Sequence, residues 1–299
     1  MEITWLPDAR PRERHLAVGE FDGVHVGHRE VIRGADTVVT FEPHPRTVVA
    51  PESAPKLLTS LAVKAELIAE LDVRELVVIP FDGERSQQSA QEFIDRELVE
   101  HLGARTVAVG ENFRFGHRAQ GDADLLRSQS AFRTRVVELV ELDGEIVSST
   151  HIRGLVTAGE VDVARRFLGA PFQMRGTVVH GDKRGRTLGF PTANLVPAPD
   201  LVVPGHGIYA CRAQVGGENR LAAVNVGVRP TFKTGRGLLV EAYVLDFEGD
   251  LYGKEMRLDF LERLRGERRF ETVESLVEQM HRDVEDARRV AQSNVRLES

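Results

Sequence analysis

The sequence predicts an α/β protein of two domains. The first is a Rossmann-like parallel sheet covered by helices on both faces. The second is an antiparallel sheet or small barrel with a closing helix. Three observations carry this. The 299 residues exceed what one hydrophobic core usually serves. Short β-rich runs alternate with helical patterns through the first half. Beyond about residue 170, strand-like runs follow one another across Gly-rich turns.

In the first half, 16–21, 37–41, 75–81, 105–109 and 135–140 read as strands. Between them, Leu61, Lys64, Leu67, Ile68 and Leu71 recur at helical spacing. Ser89 and Glu92 have the spacing of a capping box, and Gly103 can end the helix they open. The connection 22–36 must hold both a loop and a crossover, so its helix has room for about two turns. Residues 152–168 read as one helix, broken by Ala170-Pro171. Then 175–180, 208–215, 221–226, 238–247 and 255–260 read as strands. A helix from about Thr272 places Val273, Leu276, Val277, Met280, Val284 and Ala287 on one face. The expected domains are 1–170 and 171–299.

The net charge of −7 lacks the basic field of a general nucleic-acid binder, so no nucleic-acid partner is expected. Cys211 is the single cysteine, which excludes an intramolecular disulfide and a Cys-ligated metal site. No apolar run approaches a membrane span, and the N-terminus lacks the apolar core of a secretory signal. The expected setting is cytoplasmic, without a membrane partner.

Two segments carry chemistry. Upstream, Gly19-Glu20-Phe21-Asp22-Gly23-Val24-His25-Val26-Gly27-His28 joins a strand to a helix. Gly23 and Gly27 would let backbone N–H groups approach a polyphosphate at the helix's positive end. His25 and His28 could donate to phosphoryl oxygens as charge moves to a leaving pyrophosphate. A surface loop is the plainer alternative, and two histidines without a third ligand make a poor zinc site. His44 and Asn112 also follow strands, at the edge where open α/β sheets bind ligands. Ser149, Thr150 and Arg153 open a helix, where hydroxyls, N–H groups and a guanidinium can meet phosphate, although such a cluster taken singly is more often a plain N-cap.

Downstream, Gly181, Gly185 and Gly189 with Lys183, Arg184 and Arg186 suit a phosphate-covering loop, in an order that is not a P-loop. Thr192 and Asn194 flank Ala193 in an extended segment, so both face one way and could hold Mg²⁺ with nucleotide phosphates. Glu241 puts a carboxylate in a row with Tyr243, Leu245 and Phe247. It is either a general base for a substrate hydroxyl or a barrel-mouth glutamate with an arginine partner. Asn225-Val226-Gly227 and Pro230-Thr231-Phe232 read equally as turns or as site.

These residues resemble the bifunctional prokaryotic riboflavin kinase/FAD synthetase family over nearly the whole chain. The matching motifs are Phe-Asp-Gly-Val-His-x-Gly-His at 21–28, Phe-Glu-Pro-His-Pro at 41–45, Asn-Phe-x-Phe-Gly at 112–116 and Ser-Ser-Thr-x-Ile-Arg at 148–153. Downstream they are Gly-Asp-Lys-Arg-Gly-Arg-x-Leu-Gly-Phe-Pro-Thr-Ala-Asn at 181–194, Asn-Val-Gly at 225–227, Pro-Thr-Phe at 230–232 and Leu-Tyr-Gly at 251–253. The resemblance implies a nucleotidyltransferase-type α/β domain transferring AMP from ATP to FMN. Gly19, Phe21, Asp22, Gly23, His25, His28, Ser149, Thr150 and Arg153 would bind ATP there, with His44 and Asn112 toward the flavin. It also implies a six-stranded antiparallel barrel, the riboflavin kinase domain. There Gly181, Lys183, Gly185, Gly189, Thr192 and Asn194 would bind Mg²⁺-ATP, Thr192 and Asn194 touching the metal. Glu241 would activate the flavin 5′-hydroxyl, and Arg265 would shape the flavin pocket. The implied partners are riboflavin, FMN and ATP.

Three departures from the family pattern fall in the upstream half. Segment 29–37 is short, Glu20 puts a negative charge beside the phosphate loop, and His151 replaces an arginine. They leave open a chain that keeps the kinase step with a weakened adenylyltransferase. A flavin-sensing protein without turnover is disfavoured by the acidic charge and by the retained Glu241, Thr192 and Asn194.

Overall fold

The computed structural model of the chain describes residues 1–181, 188–228 and 237–295. They form two compact units, Met1–Ser149 and Thr150–Ser299.

The first unit is built on β1 (Glu2–Trp5), β2 (Arg14–Val18), α1 (Val26–Ile32), β3 (Thr37–Glu42), α2 (Pro45–Val49), α3 (Leu61–Ala69) and β4 (Glu75–Pro80). Next come α4 (Ala90–Glu92, running on in wider turns over Phe93–His101), β5 (Ala104–Gly110), α5 (Ala123–Arg127) and β6 (Arg133–Val137). The sheet order is β1-β4-β3-β2-β5-β6, every pairing parallel. β2, β3 and β4 step one way across the sheet and β5 returns to the far side of β2. The direction therefore reverses between β2 and β5, which is where open α/β sheets bind ligands. One core face gathers Leu16, Val39, Val77 and Phe93, the other Ala17, Val38, Ile68 and Val78. This two-sided burial makes the strands read as continuous apolar runs. Beneath the sheet, Arg14 and Glu75 form a buried ion pair at 2.8 Å that Arg12 joins at 2.7 Å.

Three features differ from the sequence expectation. β1 is an edge strand whose four residues are mostly exposed, so no apolar pattern announces it. β6 starts and ends earlier than 135–140, and Arg135 within it caps α1. Its guanidinium donates to the carbonyls of Val31 and Arg33 at 2.7 Å and of Glu30 at 3.2 Å. The seven-residue α1 thus has its orphan C-terminal carbonyls satisfied from another strand. A small hairpin, β7 (Glu141–Leu142) with β8 (Glu145–Ile146), follows.

The second unit opens with two helices where one was expected, α6 (Ser149–Ala158) and α7 (Val161–Leu168). Gly159 at φ +86 breaks the helix between them. The barrel comprises β9 (Phe172–Val179), β10 (Ala193–Pro197), β11 (Gly207–Val215), β12 (Glu218–Val228), β13 (Leu238–Val244) and β14 (Glu255–Arg265). It closes in the order β10-β13-β12-β11-β14-β9, all antiparallel. Small and medium side chains fill its interior, among them Ala213, Ala222, Val224, Ala242, Met256 and Leu258. β13 stops short of the expected residue 247, with Asp246 turning at φ +52 and tied to Arg288 at 2.9 Å. The closing helix α8 (Val273–Val295) is pinned to β14 by a bidentate Arg265–Asp283 pair at 2.8 and 2.7 Å.

Candidate active sites

Of the upstream histidines, His25 lies in the loop that leads from β2 into α1 and His28 in the first turn of α1. Phe21, Gly23 and Val24 all have positive φ, so the loop holds a strained backbone, as binding loops often do. Asp22 is buried, and its carboxylate accepts from the N–H groups of Leu58 (2.9 Å) and Thr59 (3.0 Å). Thr59 Oγ1 in turn accepts from Gly23 N at 3.0 Å. Asp22 and Gly23 thus lock the loop to segment 58–59, a use that neither spacing nor motif discloses.

His25 caps α1 with its ring: Nδ1 accepts from His28 N at 3.1 Å. This fixes the neutral tautomer with the proton on Nε2, leaving that atom the donor. His28 stacks on His25 at 3.5 Å between ring centroids and meets Phe21 edge-on at 5.3 Å. Burial holds the His28 imidazole well below its usual range, and His25 and Lys64 act in the same sense. Its Nδ1 is buried without a hydrogen-bond partner among the described residues. His28 is therefore a neutral imidazole, ready to turn an N–H toward a bound anion.

Lys64 reaches this strand end from α3. Its buried ammonium donates to Thr40 Oγ1 at 3.2 Å, and Thr40 donates to the Glu20 carbonyl at 3.1 Å. Sequence pattern marks Lys64 only as a helix position. Burial pushes the Glu20 carboxyl up to about 8; Lys64 opposes this, while Asp22 and Glu42 add to it. The negative charge expected of Glu20 beside the phosphate loop is therefore largely absent near neutral pH.

A stability prediction follows from that raised value. The folded state holds a proton that the unfolded state loses at about 4.5, so stability falls as pH climbs from there through about 8. Glu20→Gln removes this loss. Its melting transition should match the parent near pH 5 and lie about 7–14 °C higher at pH 8, for about 3–4 kcal/mol. Fluorescence of Trp5, the single tryptophan, reports the unit concerned. A constant difference across that range would show that Glu20 does not titrate as described.

The other upstream candidates of the first unit lie at the same sheet edge. His44 caps α2, Nδ1 accepting from Arg46 N at 3.1 Å, and Asn112 is exposed on the turn after β5. Gly19 continues the line of β2, its N–H donating to Val39 O at 3.1 Å. Ser149 Oγ donates to the Asp22 carbonyl at 3.0 Å. Thr150 and Arg153 fall in the second unit, where Arg153 donates to Thr150 Oγ1 at 3.3 Å. His151 packs on Phe167 with ring centroids 4.8 Å apart.

In the barrel, the ladder aligns the downstream candidates. Asn194 of β10 pairs with Glu241 of β13, and Glu241 pairs with Asn225 of β12. Asn194 is buried against Gly181, where a Cβ would fall 2.2 Å from the Asn194 amide nitrogen, so only glycine lets the two segments meet. Thr192 lines a cleft of about 310 Å³ with Ala193, Phe247, Asp250 and Tyr252. Gly189 turns at φ +85 just ahead of it. Lys183, Gly185, Arg184, Arg186 and the 230–232 motif lie outside the described residues. Arg265, expected at the flavin pocket, is committed to Asp283 and lies 5.8 Å from the Phe270 ring centre. Asn225 carries no periodic signal, and only the ladder places it beside Glu241.

A histidine-bearing crevice at a sheet switch point and a barrel with amide and carboxylate side by side define a chain with two nucleotide-dependent transferase centres. The riboflavin kinase family profile matches residues 168–291 and the FAD synthetase profile residues 8–151. Bifunctional riboflavin kinase/FMN adenylyltransferases are similar over most of their length. The Listeria monocytogenes protein is 38% identical over 91% of each chain, and that of Pseudomonas fluorescens 38% over 97% of each. A crystal structure described as a macrolide-efflux protein from Streptococcus pneumoniae aligns at TM-score 0.88 and 30% identity, over 96% of this chain and 99% of that one. That likeness concerns the fold; among the described residues no helix is long and apolar enough to cross a membrane. The chain belongs to the bifunctional riboflavin kinase/FMN adenylyltransferase family.

Proposed function

We propose that residues 171–299 phosphorylate riboflavin and residues 1–170 then adenylylate the FMN formed, with named side chains in each role. Glu241 takes the proton of the riboflavin 5′-hydroxyl as that oxygen attacks the ATP γ-phosphorus and ADP leaves. The pairing of Glu241 with Asn194 in one ladder carries this assignment, because it sets a carboxylate beside an amide suited to a nucleotide–metal complex.

Thr192 and Asn194 fit Mg²⁺. Both offer hard oxygens, and a two-residue protein share suits an ion that takes its remaining ligands from phosphate and water. When bound, the ion neutralises charge on the transferring phosphoryl group. Thr192 and Asn194 would orient the nucleotide, and Gly181 and Gly189, with Lys183 and Gly185, would cover its phosphates.

Upstream, an FMN phosphate oxygen attacks the ATP α-phosphorus and pyrophosphate leaves. His25 Nε2–H and the His28 imidazole donate to the phosphate oxygens that gain charge. Gly19, Phe21, Asp22 and Gly23 shape the loop around them. Ser149, Thr150 and Arg153 complete the nucleotide contacts, and His44 and Asn112 face the flavin. Arg265 sets the kinase flavin pocket indirectly, by fixing α8. A cytoplasmic setting accords with the buried thiol of Cys211 and with ATP as substrate.

Purified protein given riboflavin, ATP and Mg²⁺ should produce FMN first and FAD after it, separated by chromatography. FMN without FAD would favour a chain that retains only the kinase step. The Arg135 cap on the shortened α1 and the largely uncharged Glu20 both favour the complete sequence of reactions.

A further inference from the structure

We propose that Asn225 binds the acceptor substrate in the phosphotransfer site, its Oδ1 accepting a hydrogen bond from a hydroxyl of the polyol chain that carries the reacting 5′-hydroxyl. The proposal rests on the assignment of Glu241 as the base.

Three observations support it. The ladder places Asn194, Glu241 and Asn225 in one row on neighbouring strands, each directly opposed pair about 4.5–5.5 Å apart at Cα. With the nucleotide on the Asn194 side, Asn225 flanks the base on the side left to the acceptor. Second, Asn225 Oδ1 is buried and has no hydrogen-bond partner among the described residues. Buried amide oxygens in a barrel wall are normally satisfied, so an orphan one beside a general base is better explained by a ligand than by folding. Third, the space over Gly227, two residues on and on the same face, is bounded by acceptors. A Cβ there would lie 2.3 Å from Glu267 Oε1 and 3.7 Å from Asn225 Oδ1. Carboxylate and amide oxygens repel phosphate and attract donors, so the group that fits is a neutral, hydroxyl-rich chain. The Arg265 guanidinium on β14 is taken up by Asp283, and His206 lies 3.7 Å from the other Glu267 oxygen.

Asn225→Ala and Asn225→Leu in the full chain test this. The KM for riboflavin should rise about tenfold or more, the equivalent of one lost hydrogen bond, while the KM for ATP stays within twofold. The melting temperature should hold or rise, because the Asn225 Oδ1 removed has no partner to lose among the described residues. A flavin with a simple ω-hydroxyalkyl chain, lacking the inner hydroxyls, should show the same KM with parent and variant. An unchanged riboflavin KM, or an equal penalty with the simplified flavin, would overturn the role of Asn225. Glu241→Gln run alongside separates the two readings. Full turnover in that variant would remove the site assignment itself, whereas a dead Glu241→Gln with an indifferent Asn225→Ala would remove only this inference.

Discussion

His28→Ala is expected to slow FAD formation from FMN by about 10²–10³-fold, the usual cost of losing one preorganised donor at developing charge. FMN formation from riboflavin should be unchanged, so FMN accumulates. His28 sits where this loss is large. Its ring is half-buried, neutral and stacked on His25, and its buried Nδ1 has no partner among the described residues. An anion drawn into the crevice therefore meets a donor already oriented, with little water to rearrange. The effect should fall on kcat more than on the KM for ATP, because the charge being stabilised develops only as pyrophosphate departs. His28→Phe, which keeps a ring against Phe21 and His25 but has no nitrogen, should fall as far as His28→Ala. FAD synthesis at the parental rate in His28→Phe would mean that the ring packs the loop and does not touch phosphate. Equal loss of both activities in a folded variant would contradict the division of labour between the two halves.

How far the sequence reaches depends on which forces mark it. The central strands of the first unit were legible because both faces are buried, which leaves runs such as Leu76-Val77-Val78-Ile79. The capping box at Ser89 and Glu92 was legible because it is local, and the structure forms both of its bonds. β1 was not, since an exposed edge strand has no periodicity to read. Nor was the break at Gly159, because a glycine inside a helical pattern is as often tolerated as not. The same divide runs through the sites. The glycines and histidines of the upstream loop announce themselves, but the bonds from Asp22 to segment 58–59 and from Lys64 to Thr40 join residues 24 to 37 positions apart. Burial, which sequence gives poorly for charged residues, largely removes the charge expected of Glu20. Register is likewise non-local: nothing in Asn194, Asn225 or Glu241 taken singly says that the barrel brings them into one row.

That row makes Glu241→Gln the other decisive variant. The change is isosteric and leaves the β13 ladder partners in place, so the barrel should fold as before. Only proton acceptance is lost, and FMN formation should drop about 10²–10⁴-fold in kcat, with the KM values for riboflavin and ATP within about threefold. FAD formation from supplied FMN should be untouched, the mirror image of His28→Ala, so a mixture of the two variants should restore FAD synthesis from riboflavin. Glu241→Asp tests geometry rather than charge. It keeps the carboxylate but withdraws it by one methylene, and a reaction that depends on contact with the 5′-hydroxyl should remain well below the parent. If Glu241→Gln instead kept its rate and lost thermal stability, the carboxylate would be a strut of the barrel mouth, and the proton would have to leave by way of the nucleotide's own phosphate oxygens.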